Sequence, residues 1–167
     1  EILFDYQNNS EKKFLIICEE KSGKSTILKK LFLSYYDSGY VPLYIEGDEI
    51  KSTSKSDIDK LINKKVKQQY CDDSYNNLVK NDKTKKVLLI DDFHISKLNS
   101  EGKSIFIDHI NEMFPIVFVT GNSMVLVEEM SSNKKLYEKF VDYDHYGIKL
   151  FGKLLRYKIV EKWNRIG

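Results

Sequence analysis

The chain has 167 residues, 41% of them hydrophobic, with nine Phe and eleven Tyr, which is enough for one domain around a packed core. Its 27 basic and 25 acidic residues nearly cancel to a net +2, so the chain as a whole offers no general field for nucleic acid or an anionic membrane. No apolar run approaches the roughly twenty residues of a membrane helix and no signal peptide precedes the first strand, so a cytoplasmic protein without a membrane partner is expected.

In chain order, residues 1–12 are mixed in character, and Gln7-Asn8-Asn9-Ser10 marks a turn before a first strand at 13–18. That strand carries the apolar run Phe14-Leu15-Ile16-Ile17 and is followed by Cys18-Glu19-Glu20-Lys21-Ser22-Gly23-Lys24-Ser25-Thr26. A helix over 24–38 presents Ile27, Leu28, Leu31 and Phe32 on one face and ends at Asp37-Ser38-Gly39. A short strand at 41–45 contains Pro42, which cannot donate to a ladder and places the strand toward a sheet edge. Ile58, Leu61, Ile62 and Val66 recur at helical spacing within 54–70, a weaker helix is read at 73–79, and 81–84 breaks to loop. The run Lys86-Val87-Leu88-Leu89-Ile90 reads as a strand buried on both faces that stops abruptly at Asp91 and Asp92. A helix at 100–113, a strand at 115–119, the tip Thr120-Gly121-Asn122 and a helix at 125–130 follow. A lysine-rich loop, a strand-like stretch at 139–143 and a last helix at 152–165 complete the pattern. Strands alternating with helices give an α/β fold, a doubly wound, mainly parallel five-stranded sheet flanked by helices.

The stretch from Cys18 to Thr26 reads as a phosphate-binding loop, because a strand leads into a tight turn whose N–H groups and following helix N-terminus converge on one anion. In the spacing G-x-x-x-x-G-K-[ST] the Lys reaches the β and γ phosphates and the hydroxyl after it meets Mg²⁺, roles that fall to Lys24 and Ser25. Ser22, Gly23 and Thr26 complete the cradle, and Cys18 stands where the pattern has its first glycine. Ligands of such sheets bind beyond the C-terminal ends of the strands, so this loop, Asp91-Asp92 and Thr120-Gly121-Asn122 are expected to converge. Asp91 is expected to hold Mg²⁺, directly or through water, and Asp92 to orient or activate an attacking water. Asn122 or Thr120 would hydrogen-bond the γ-phosphate or that water.

Other conspicuous residues receive plainer readings. Cys18 is a small buried residue rather than a nucleophile, and with Cys71 it makes neither a disulfide framework nor a metal site, so both are expected reduced. His94 is read as solvated and outside the site. The lysines from Lys51 to Lys67 read as a solvated helix face, with no strong sign of direct nucleic-acid binding, and Tyr35, Tyr36 and Tyr40 as a helix end against the core. The chain begins at Glu1 without Met and ends at Gly167 directly after a helix pattern, so it is expected to be a piece of a larger protein whose other domains are its partners.

Together, Gly23-Lys24-Ser25-Thr26, Val87 to Asp92 and Val119-Thr120-Gly121-Asn122 resemble Walker A, Walker B and sensor 1 of the AAA-like P-loop NTPases, over nearly the whole chain. Within these the chain looks most like the STAND branch of signal-transducing ATPases. The resemblance implies an ASCE-type P-loop core over 1–150, the start of a helical extension over 151–167, and ATP with Mg²⁺ as ligands. It also implies ATP-dependent switching and assembly, which allows a homo-oligomer, in proteins joined to effector and sensor domains and often acting in bacterial defence. A ring-forming relative carries an arginine finger near its fourth helix; the region 125–139 offers Lys134, Lys135 and Lys139 instead. The chain's arginines are Arg156 and Arg165, and Arg156 is the candidate for reaching a γ-phosphate in cis. Two other readings stay open, a P-loop scaffold for interaction or oligomerisation, motivated by Cys18, and, ranked last, a phosphotransferase.

Overall fold

The computed structural model describes residues 11–70, 85–148 and 161. The expected helix at 73–79, all of that at 152–165 but residue 161, and Cys71 and Arg156 lie outside them. Ten principal elements follow one another: β1 (Lys12–Cys18), α1 (Lys24–Asp37), β2 (Val41–Glu46), α2 (Lys55–Gln69), β3 (Lys86–Asp91), α3 (Ser100–Met113), β4 (Ile116–Asn122), α4 (Ser123–Ser132), α5 (Lys134–Phe140) and β5 (Asp144–Ile148). The five strands pair in parallel in the order β2-β3-β4-β1-β5.

Parallel neighbours need crossover connections, and the helices that supply them cover both faces of the sheet. The alternation along β3 sorts its side chains accordingly. Val87 and Leu89 join Phe14, Phe118, Leu28, Leu31 and Tyr35 under α1. Leu88 and Ile90 join Leu15, Val117 and Val119 beneath α2 to α5, where Ile58, Phe106, Leu126 and Phe140 close the core. Tyr35 packs edge-on to Phe118 and Tyr40, as expected, whereas Tyr36 on the same helix end is 53% exposed.

β2 is an edge strand, in keeping with Pro42. Its outward backbone groups are covered by the end of α2. The Gln69 amide accepts from the Tyr44 N–H at 2.9 Å and donates back to the Tyr44 carbonyl at 2.6 Å, and the Tyr70 hydroxyl donates to the Pro42 carbonyl.

The C-terminal third departs from expectation in two places. Thr120-Gly121-Asn122, expected at the tip beyond a strand ending at 119, belongs to β4 itself and pairs with Ile16-Ile17-Cys18 of β1. Residues 139–143 are not a strand: the lysine-rich segment before them is helical, and α5 runs through Phe140. Phe140, Val141 and Tyr143 are residue types that favour strands, but the Asn133 side chain accepts from the Leu136 N–H and starts a helix, which buries Leu136 and Phe140 one turn apart. The fifth strand begins at Asp144, and only its alternate residues Tyr146 and Ile148 pack against the core.

Candidate nucleotide-binding site

Register brings the tips of β1, β3 and β4 to one edge of the sheet, with Cys18 opposite Asn122 and Ile90 opposite Val119. After β1 the chain turns through two left-handed residues, Lys21 (φ 58°) and Gly23 (φ 93°). A side chain at position 23 would meet no steric obstacle, so it is the backbone angle that calls for glycine there. Gly23 is the N-cap of α1 and supplies no side-chain cap, which leaves the first N–H groups of a 14-residue helix facing the loop. A cavity of about 390 Å³ opens there, lined by residues 20–26 with Asp92, His94 and Ile95. A neighbouring cavity of about 250 Å³ shares Ser25, Asp92 and Ile95 and adds Lys29, Tyr44, Glu46, Asp48 and Asp91.

Lys24 is buried, 7% exposed, and its Nζ donates to the Glu19 carbonyl at 3.1 Å and stands 3.5 Å from Asp92 Oδ1. Asp91 is held on both sides, its Oδ1 accepting from the Thr120 hydroxyl at 2.9 Å and its Oδ2 from the Tyr44 hydroxyl at 2.6 Å. Burial and then the adjoining Asp91 carboxylate push the Tyr44 phenol well above its ordinary range, so Tyr44 stays a donor. Thr120 Oγ1 also accepts the Asp92 N–H at 3.0 Å, so one fully buried hydroxyl positions both acids. Asp92 itself is left-handed (φ 51°, ψ 51°), a conformation that costs a non-glycine residue energy and that the surroundings hold in place. Gly47 is part of those surroundings: a Cβ there would lie 2.2 Å from the Asp92 carbonyl oxygen.

Two buried polar atoms at the site, Ser22 Oγ and Asp92 Oδ1, have no hydrogen-bond partner among the described residues. With Lys24 and the uncapped N–H groups of α1, the Ser22 hydroxyl makes a donor-rich cradle that fits a phosphate chain. Ser25 borders both cavities and Asp91 borders the second; each Asp91 oxygen keeps a lone pair, which fits a hydrated divalent cation. Among the described residues there is no cluster of three or more metal-ligating side chains, so further ligands would come from phosphate and water.

Of the remaining expected residues, Thr26 lines the first cavity, whereas Thr120 and Asn122 stand behind Asp92 and His94, off its wall. The Asn122 side chain accepts from the Met124 and Val125 N–H groups at 2.9 and 3.4 Å, capping α4. Arg156 lies outside the described residues. Cys18 is buried, and burial raises its thiol pKa, partly offset by the Ser22 hydroxyl and Lys24; it is a packing residue, as expected. The solvated reading of His94 is corrected. Its side chain is 12% exposed, Nδ1 accepts the Asn122 N–H at 3.2 Å, and the ring lines the phosphate cavity. Burial lowers its proton affinity. His94, Tyr44 and Gly47 are the site residues that pattern reading missed. Only His94 left a trace, three positions after Asp91 in a loop already assigned to the site.

No protein-family model matches the chain, and no curated protein does. Solved structures do. The replication initiator DnaA, bound to AMPPCP and single-stranded DNA, superimposes with a TM-score of 0.63 at 15% identity, over 98% of this chain and 48% of that one. The DnaC helicase loader gives 0.55 at 16%, over 89% and 85%, and Cdc6p from Pyrobaculum aerophilum gives 0.57 at 19%, over 89% and 41%. The fold is that of a P-loop NTPase. The chain spans about half the length of DnaA and most of the DnaC loader. These neighbours do not single out the signal-transducing branch. Because DnaA is bound to single-stranded DNA, they lend no support to the reading that found no strong sign of direct nucleic-acid binding. Among the described residues, no helix is long and apolar enough to cross a membrane.

Proposed function

We propose that this P-loop NTPase module binds ATP with Mg²⁺, hydrolyses it slowly, and acts as a nucleotide-dependent switch or oligomerisation domain in a larger signalling or defence protein of the STAND type. The observation that carries the reading is the convergence of the phosphate cradle with two acids fixed by one Thr120 hydroxyl. Lys24 and the N–H groups of Gly23 to Thr26 bind the phosphates, Ser25 and Asp91 hold the cation, and Asp92, its Oδ1 unbonded, orients the attacking water and takes up its proton. The cation, when bound, neutralises phosphate charge. Arg156 keeps its role as a candidate γ-phosphate contact in cis. The AMPPCP in the DnaA structure agrees with an adenine nucleotide as ligand.

A non-hydrolysing scaffold is the second reading, favoured by Cys18 in place of the loop glycine and by Lys24 already engaged with the Glu19 carbonyl. Calorimetry of ATP and ADP with and without Mg²⁺ separates the two, with Lys24→Ala and Asp91→Ala alongside. Binding that needs Mg²⁺ and fails in both variants is expected. Absence of binding at millimolar nucleotide would transfer the preference to the scaffold.

A further inference from the structure

Asn122 occupies the strand tip from which a γ-phosphate contact is expected, yet its Oδ1 is engaged in capping α4 and the residue does not line the cavity. His94 does line it. Its Nδ1 accepts the Asn122 N–H, and an accepting nitrogen carries no proton, so the neutral ring bears its proton on Nε2. The 3.8 Å gap between Nδ1 and Asp92 Oδ1 fits this tautomer, because no hydrogen lies between them. Among the described residues no group bonds Nε2, which leaves one N–H donor on a largely buried side chain at the wall of the phosphate cradle. The backbone of His94 is equally fixed, its carbonyl accepting from Lys103 Nζ at 3.2 Å. That lysine is 1% exposed and bonds both Glu129 oxygens at 2.7 Å, and Glu129 belongs to α4. His94 is therefore joined to α4 twice, through Asn122 at its start and through Lys103 and Glu129 near its end. Met124, Val125 and Val127 on this helix are 80%, 41% and 49% exposed, so a change in its placement would be felt at the surface.

We propose that His94 donates its Nε2–H to the terminal phosphate of a bound nucleoside triphosphate and, through Asn122, relays the presence of that phosphate to α4. This rests on the P-loop reading above. A nucleoside diphosphate leaves the donor without its acceptor, so the residue distinguishes the two nucleotides while contributing little to shared binding. Asn122 then serves as the connection between ring and helix instead of touching phosphate itself.

The test uses the 167-residue chain with Mg²⁺, and AMPPCP and ADP as probes. His94→Asn keeps an acceptor where Nδ1 stands but loses the distal donor; His94→Gln places an amide N–H near the Nε2 position. A hydrogen bond to a charged group predicts that His94→Asn weakens AMPPCP about tenfold with ADP nearly unchanged, and that His94→Gln recovers most of the loss. Amide exchange at Met124 and Val125 should be slower with AMPPCP than with ADP, a difference that His94→Asn removes. ADP affinity also serves as the control for folding. Wild-type binding of ADP with an AMPPCP-to-ADP ratio indifferent to both variants would overturn the role of His94 while leaving the P-loop reading intact. A wild-type chain that binds neither nucleotide would overturn both.

Discussion

Thr120 is fully buried, with its hydroxyl accepting from the Asp92 N–H and donating to Asp91 Oδ1. Valine has the same shape and none of these bonds, so Thr120→Val would leave the Asp92 N–H buried and unpaired and release the left-handed conformation it supports. The expected cost is about 2 kcal/mol of unfolding free energy in a denaturant titration, with weaker Mg²⁺-dependent nucleotide binding. An unchanged midpoint together with unchanged Mg²⁺ dependence would show that the two acids do not depend on that hydroxyl. Lys24, Asp91 and Asp92 were legible in the sequence because their chemistry is tied to fixed positions at a strand end. Tyr44 and Gly47 were not, since each matters only through a partner about 45 residues away across the β2–β3 pairing, a separation no local pattern records.

Among the elements, β2 illustrates how an edge is protected. Pro42 presents no donor on the outward side, and Gln69 satisfies both backbone groups of Tyr44 as a neighbouring strand would. Gln69→Ala reopens that pair, so a loss of roughly 1 kcal/mol and a rise in self-association by light scattering are expected, the second growing with protein concentration. A variant as stable and as monodisperse as the wild type would assign edge protection elsewhere. The strands β1, β3 and β4 were legible because both faces are buried and their sequences are continuously apolar. α5 and β5 were not: Phe140, Val141 and Tyr143 are residue types that favour strands, the deciding cap is a single Asn133 side chain, and β5 packs only Tyr146 and Ile148 against the core while pairing with β1.

For the molecule as a whole, parallel topology puts every strand's C-terminal end on one edge, and this is why three separated motifs could be placed in one site before their contacts were known. If the module hydrolyses nucleotide as proposed, the α5 lysines are the candidates for added charge among the described residues. Both arginines, Arg156 and Arg165, lie outside the described residues, and the lysines of α5 are engaged within the chain: Lys134 with Glu138 at 3.7 Å, Lys135 with Glu101 at 3.0 Å and Lys139 with Asp108 at 2.9 Å. Such exposed pairs contribute little stability, about 0.5 kcal/mol or less each, but they hold the ammonium groups against carboxylates of the protein's own surface. Alanine at Lys134, Lys135 and Lys139 together is therefore expected to leave nucleotide affinity and any phosphate release within about twofold of wild type, because an arginine finger's contribution of about a thousandfold or more is not supplied from this helix. Phosphate release followed by a coupled assay, with ATP affinity measured on the same preparation, is the check. Turnover abolished with affinity preserved would make α5 a donor of catalytic charge in trans and the module a participant in a ring, with a lysine in the place of the arginine.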